Sequence, residues 1–115
     1  MEVRRAVLGD EHVDRAVAAT TDFTRPFQHH LTEAAWGSVW TRPGLDRRTR
    51  SVITLTALTT LRSHDELAMH VRAAVRNGLT PAEISEILLH TSVYAGIPAA
   101  NSAFAVAKKV LDELG

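Results

Sequence analysis

Residues 80 to 98 read Thr80-Pro-Ala-Glu83-Ile-Ser-Glu-Ile-Leu-Leu-His90-Thr-Ser-Val-Tyr94-Ala-Gly96-Ile-Pro98, and this stretch decides the fold class. Thr80 followed three residues later by Glu83 is a capping box, and Pro81 takes the first helical position. Ile84, Ile87, Leu88, Thr91 and Tyr94 then recur at intervals of three and four, the period of a helix to about Ala95. Gly96-Ile97-Pro98 interrupts it. A last helix follows to about Glu113, with Ala100, Ala103, Phe104, Ala107 and Leu111 on one side.

The same period runs upstream. A helix from about Asp65 to Asn77 stops at Asn77-Gly78, a left-handed C-cap signal. Before it, Val52, Ile53, Leu55, Ala57, Leu58 and Leu61 cover most of the circumference of a helix from Arg47 to Arg62. Such a helix is expected to be central. Pro43-Gly44 marks a turn, and Asp46 is placed to cap that helix. A helix from near Thr24 to Ser38 carries Phe27, Leu31, Ala34 and Ala35. One from about Gly9 to Thr20 carries Val13, Ala16 and Val17, with Asp10 as its expected N-cap. No stretch alternates as a strand does. The expectation is an all-α, single domain over residues 1–115, with about six helices.

With 115 residues and 12.6 kDa, the chain has material for one core. Lys and Arg number 13 and Asp and Glu 13, a balance that argues against nucleic-acid binding and against an anionic membrane surface. There is no cysteine, which excludes disulfides, thiolate metal sites and cysteine redox chemistry. The uncharged stretch Ser51 to Leu61 is too short and too rich in Thr to span a bilayer. The start, MEVRRAVLGDEH, has no apolar signal core, so a cytoplasmic protein is expected. Alanine-rich final helices and wide apolar faces predict self-association.

Four groupings carry possible chemistry. Glu66 and His70, at i and i+4, share a helix face at the edge of the Leu67, Val71, Ala74 stripe. A carboxylate that orients an imidazole makes a proton-transfer pair, although a surface ion pair is the commoner use of that spacing. His64, Asp65, Glu66 and His70 include metal-ligand types but match no metal motif, so no metal is expected. Arg42, Arg47, Arg48 and Arg50 gather about a helix start, where guanidinium forks and the helix terminus favour carboxylates, with Trp36 and Trp40 as possible pocket walls. A solvated basic turn is the alternative. His90 and Tyr94 share a face, with Asn101 in the first turn of the next helix, either lining one cavity with His70 or satisfying backbone groups. No phosphate loop, nucleophile elbow or dinucleotide fingerprint is present.

Three segments together resemble the γ-carboxymuconolactone decarboxylases: Trp36-Gly-x-x-Trp40-x-Arg-Pro-Gly-Leu-Asp-x-Arg-Thr-Arg-Ser51, Glu66-Leu-x-x-His70-x-Arg-Ala-Ala-x-Arg-Asn-Gly-Leu-Thr80, and Glu86-Ile-Leu-Leu-x-Thr-x-Val-Tyr-Ala-Gly-x-Pro-Ala-Ala-Asn101. The resemblance implies the all-helical alkylhydroperoxidase-like fold and a ring-like homo-oligomer, commonly a hexamer. It also implies conversion of 4-carboxymuconolactone, a small dicarboxylate lactone, to 3-oxoadipate enol-lactone and carbon dioxide in protocatechuate breakdown, with no cofactor. On that likeness His70 is the expected acid and Glu66 its orienting carboxylate. Arg42 or Arg50 grips substrate, and Trp36, Trp40, Tyr94, His90 and Asn101 are further candidates for its binding. Peroxidase relatives place a Cys-x-x-Cys pair four residues before the histidine. Ser63 and Glu66 stand there instead, which removes that chemistry. Two departures are Arg62, where the family often has Gly, and His90, where it often has Gln.

Overall fold

The computed structural model describes residues 1–115, and every regular element in it is helical. There are seven α-helices: α1 (Glu2–Leu8), α2 (Asp10–Ala18), α3 (Arg25–Leu31), α4 (Arg47–Leu61), α5 (His64–Arg76), α6 (Pro81–Ala95) and α7 (Ile97–Leu114). A π-helical segment, Thr32–Gly37, continues α3 without a break. The chain forms two compact units, Met1–Arg47 and Arg48–Gly115.

In the first unit, α1 packs on α2 and on the π-helical segment. Sequence periodicity missed α1, because seven residues give too short a pattern and an isolated helix of that length has little stability of its own. It also placed the α2 cap one residue late. Gly9, at φ 92°, is the N-cap, and Asp10 lies inside the helix and accepts from Arg5. Of the expected α2 stripe, Val13 is fully buried while Val17 is about half exposed. Phe27 of α3 is mostly exposed, and the buried aromatic of that segment is Trp36.

In the second unit, α7 packs along both α5 and α6. The buried α7 positions are Ala99, Ala100, Ala103, Ala107 and Val110, and their small side chains let the neighbouring backbones approach closely. Leu67, Val71 and Ala74 from α5, and Ile84 and Leu88 from α6, meet Ala103, Ala107 and Val110 in one cluster that also includes Leu55 of α4. The capping box of α6 is present as expected, with Thr80 Oγ1 accepting from Glu83 N and Glu83 Oε1 accepting from Thr80 N. Helix α4 departs from expectation. Only Ser51, Leu55 and Thr59 are buried, one residue per turn, and Ile53 and Leu61 face solvent. Its composition is apolar all round, but within this chain it is covered on one side. Thr54 and Thr60 return their hydroxyl protons to the carbonyls of Arg50 and Thr56, which satisfies the hydroxyls within the helix.

Candidate functional site

Helix α5 carries the principal candidates. It is strongly two-sided, and its buried residues Leu67, His70, Val71, Ala73 and Ala74 follow the helical period. His70 therefore belongs to the core-facing side, with 8% of its surface exposed, rather than to the boundary that the spacing suggested. Glu66, one turn earlier, is exposed. The arrangement puts an imidazole in an environment from which water is largely withdrawn, with a carboxylate a turn away at the rim. A shielded imidazole able to exchange a proton is what general acid catalysis needs.

The corner before α5 is built by Arg62, which sits at φ 56° in the left-handed region. Arg62 N–H reaches Thr59 O at 3.2 Å and Ser63 N–H reaches Leu58 O at 3.0 Å, so α4 ends in a Schellman motif. Glycine is the usual occupant of that position. Arg62 also donates through Nη2 to Ser102 Oγ of α7 at 3.2 Å.

The arginines at the α4 start have separate fates. Arg48 is ion-paired with Glu83 of the α6 capping box and is committed to structure. Arg50 is half-buried in the first turn of α4. Arg42, in the first unit, is exposed in the turn that follows Val39. In that same unit Trp36 and Trp40 are both buried and stacked, with ring centroids 5.3 Å apart and planes inclined by 28°. The π-helical segment places them so, with Trp40 N–H bonded to Ala35 O five residues back.

His90 and Tyr94 do share a face of α6, with ring centroids 5.5 Å apart. That face is open, and Tyr94 is 81% exposed. His90 lines a groove of about 500 Å³ with Val52 and Thr56 of α4 and with Ile87, Leu89 and Val93 of α6. None of Glu66, His70 or Asn101 lines this groove. Asn101 is exposed on α7. No three His, Asp or Glu side chains stand together as metal ligands would, and no helix is long and apolar enough to cross a membrane.

Sequence reasoning overlooked one charged residue. Arg4 of α1 is only 5% exposed, while its neighbour Arg5 stays near the surface and pairs with Asp10 and Asp14. The available signal was the pair Arg4-Arg5 on a short helix. Adjacent helical side chains point in different directions, so one guanidinium turns inward when the other reaches the acids.

Comparison with known proteins agrees with this architecture. The model of the carboxymuconolactone decarboxylase family matches residues 25–109. The chain is 48% identical over 115 residues to 4-carboxymuconolactone decarboxylase of Acinetobacter baylyi, covering all of this chain and 86% of that protein. It is 45% identical over 114 residues to nitrosuccinic acid decarboxylase npaB of Metarhizium robertsii, covering 99% of this chain and 80% of that one. A 4-carboxymuconolactone decarboxylase of Pseudomonas putida is 54% identical over 37 residues, which are 32% of this chain and 77% of that protein. With a family match over most of its length and two relatives aligned almost end to end, the chain belongs to the carboxymuconolactone decarboxylase family.

Proposed function

We propose that this protein is a cofactor-independent carboxy-lyase that converts 4-carboxymuconolactone to 3-oxoadipate enol-lactone and carbon dioxide, a step of protocatechuate (β-ketoadipate) catabolism. The observation that carries the reading is the buried imidazole of His70 one helical turn from Glu66, in a chain 48% identical to a 4-carboxymuconolactone decarboxylase.

The chemistry suits a chain that relies on its own side chains. The departing carboxylate is on the carbon γ to the unsaturated lactone carbonyl. When its C–C bond breaks, carbon dioxide leaves and the electron pair moves through the double bond onto the lactone oxygen. The resulting dienolate takes a proton at the ring carbon, and solvent restores the proton donor. The substrate is thus its own electron sink, and what the protein adds is charge complementarity, a proton and a dry wall. In this proposal His70 gives the proton and Glu66 orients the imidazole and supports its cationic form. Arg42 or Arg50 holds the carboxylate that is retained. Trp36, Trp40, Tyr94, His90 and Asn101 are the further residues proposed for substrate contact.

A homo-oligomer, most simply a hexameric ring, is part of the same proposal. Ile53 and Leu61 on α4, Leu89, Val93 and Tyr94 on α6, and Ile97 at the α7 start are large apolar side chains left open on the single chain, and covering them is what self-association would supply. The expected location is the cytoplasm.

The 45% identity to a nitrosuccinic acid decarboxylase favours one alternative, a decarboxylase for a different small polycarboxylate. Nitrosuccinate also has two carboxylates and an electron-withdrawing group that can accept the released pair. The deciding experiment is to supply enzymatically generated 4-carboxymuconolactone and, separately, nitrosuccinate, and to follow carbon dioxide. Preferred turnover of the lactone supports the main reading. Preferred turnover of nitrosuccinate replaces it with the alternative, and release from neither removes both.

A further inference from the structure

Arg4 is a cation buried without a counter-ion. Its Nη1 donates to Thr32 Oγ1 at 3.5 Å, and its Nε is buried and donates to nothing in the chain. Thr32 passes its own hydroxyl proton to Gln28 O at 2.8 Å, so it meets Arg4 as an acceptor only. No ion pair links Arg4 to an acid, and five acids of the same unit sit against other cations or His29. Asp10 and Asp14 pair with Arg5, Glu11 with Arg15, Asp22 with Arg25, and Glu33 lies 3.2 Å from His29. Arg5, beside Arg4, adds repulsion and, after desolvation, is the second cause that lowers the Arg4 pKa. The half-buried His12 has its pKa lowered by burial first and then by the charges of Arg15 and Arg4, which disfavours a second cation nearby.

Leaving a guanidinium desolvated without a carboxylate is costly. Methionine would fill the same space without that cost. The partner of Arg4 also lies on a π-helical turn, a local form that occurs frequently at functional positions.

We propose that Arg4, held in place by Thr32, is a carboxylate-binding subsite, in which the buried guanidinium takes one carboxylate of a small polycarboxylate ligand. The proposal rests on the reading above only in taking the ligand to be of that class. An acidic side chain of a second copy offers the same chemistry and is the competing source.

The probe is succinate, titrated at constant ionic strength against the fluorescence of Trp36 and Trp40, with Trp36 one turn beyond Thr32. Saturable binding to the wild-type protein is expected. Arg4→Met should weaken it by about ten-fold or more, the scale of a charge-assisted hydrogen bond, while leaving the assembled mass unchanged and the melting temperature no lower. Thr32→Val should weaken it less. Absence of Arg4-dependent succinate binding overturns the proposal. So does a smaller assembly in Arg4→Met with no succinate binding in wild type, since the guanidinium then answers to another copy. If the methionine variant does not fold, Arg4→Lys decides: it keeps the charge and loses the planar fork, and undiminished succinate affinity overturns the proposal. Binding is read without turnover, so this result is separate from that of carbon dioxide release.

Discussion

Helices α5 and α6 each carry a pair of polar residues four apart, Glu66 with His70 and His90 with Tyr94, yet the two helices treat their pairs oppositely. On α5 the apolar residues occupy one side and the charged residues the other, so burial of Leu67, Val71 and Ala74 takes His70 in with them. On α6 the apolar residues occur all round. Ile84, Leu88 and Thr91 are buried, while Leu89, Val93 and Tyr94 stand in solvent with His90. The difference teaches that a spacing identifies which residues share a face, and that the rest of the helix decides whether the face is dry. A dry imidazole is suited to proton transfer, whereas a wet imidazole beside an exposed ring is suited to contact.

Replacing each histidine is the strongest way to break this comparison. His70→Ala is expected to lower turnover of a correctly assembled enzyme by roughly a hundred-fold to ten-thousand-fold, the range of general acid catalysis. His90→Ala should change turnover far less and act mainly through the Michaelis constant. Glu66→Gln should cost less than His70→Ala, and the two losses should not add, because the residues act as a unit. Steady-state kinetics on the single and double variants test all three. If His70→Ala stays within about three-fold of wild type, far from the scale of acid catalysis, the assignment of the proton donor moves to Tyr94 or His90.

Two adjacent leucines sharpen the same contrast in stability. Leu88 is fully buried and Leu89 is 56% exposed. Leu88→Ala should destabilise the fold by about 2–5 kcal/mol, the usual cost of a buried Leu→Ala change. Leu89→Ala should shift it by about 0.5 kcal/mol or less if its surroundings in solution are those of the single chain. Denaturant unfolding of both variants gives the values. A large effect for Leu89→Ala, together with a concentration-dependent midpoint, would mean that the exposed side of α6 is covered by another copy. Val93→Lys provides the matching test by light scattering. It should reduce the assembled mass if that side is an interface and leave it unchanged if it is not.

How far the sequence could be read follows from this difference. Helices α4 to α7 were legible to within a residue or two because their ends have chemical signals: Pro81 with the Thr80 and Glu83 box, Gly78, and the Gly96-Ile97-Pro98 break. The first unit was read less well. Helix α1 has no capping side chain, and the π-helical turn at Thr32–Gly37 follows a five-residue bond pattern that a search at three and four overlooks. The face of α4 was misjudged because Ser51 and Thr59 fill buried positions while Ile53 and Leu61 do not. Composition alone marked all of α4 as interior. In the candidate site, the spacing of Glu66 and His70 was visible, but the depth of His70 was not. Nor was the inward turn of Arg4, since burial of a charge is a property of packing and not of pattern.

The smallest expected effects lie at the two corners that bracket α5. Both helices end in the same motif: Gly78 N–H and Leu79 N–H bond to Val75 O and Ala74 O at the end of α5, as Arg62 and Ser63 bond to Thr59 O and Leu58 O at the end of α4. Gly78 holds φ 98° at little cost, whereas Arg62 holds φ 56° with a side chain attached. Gly78→Ala puts a Cβ into open space, yet it should destabilise by about 1 kcal/mol, because the conformation and not the room is what an L side chain resists. Arg62→Gly should have the opposite sign. It relieves the left-handed penalty of roughly 1–2 kcal/mol. Against this stand the greater freedom of glycine in the unfolded chain, about 0.5–1 kcal/mol, and the loss of an exposed hydrogen bond to Ser102. A net gain of about 0.5 kcal/mol is the outcome expected of those opposing terms, to be measured as a small rise in the unfolding midpoint. A loss of more than about 1 kcal/mol on the same scale would mean that the Arg62–Ser102 link between the α5 entrance and α7 contributes more than an exposed hydrogen bond. Arg62 would then hold the turn from which Glu66 and His70 are presented, with a weight that outranks its strain.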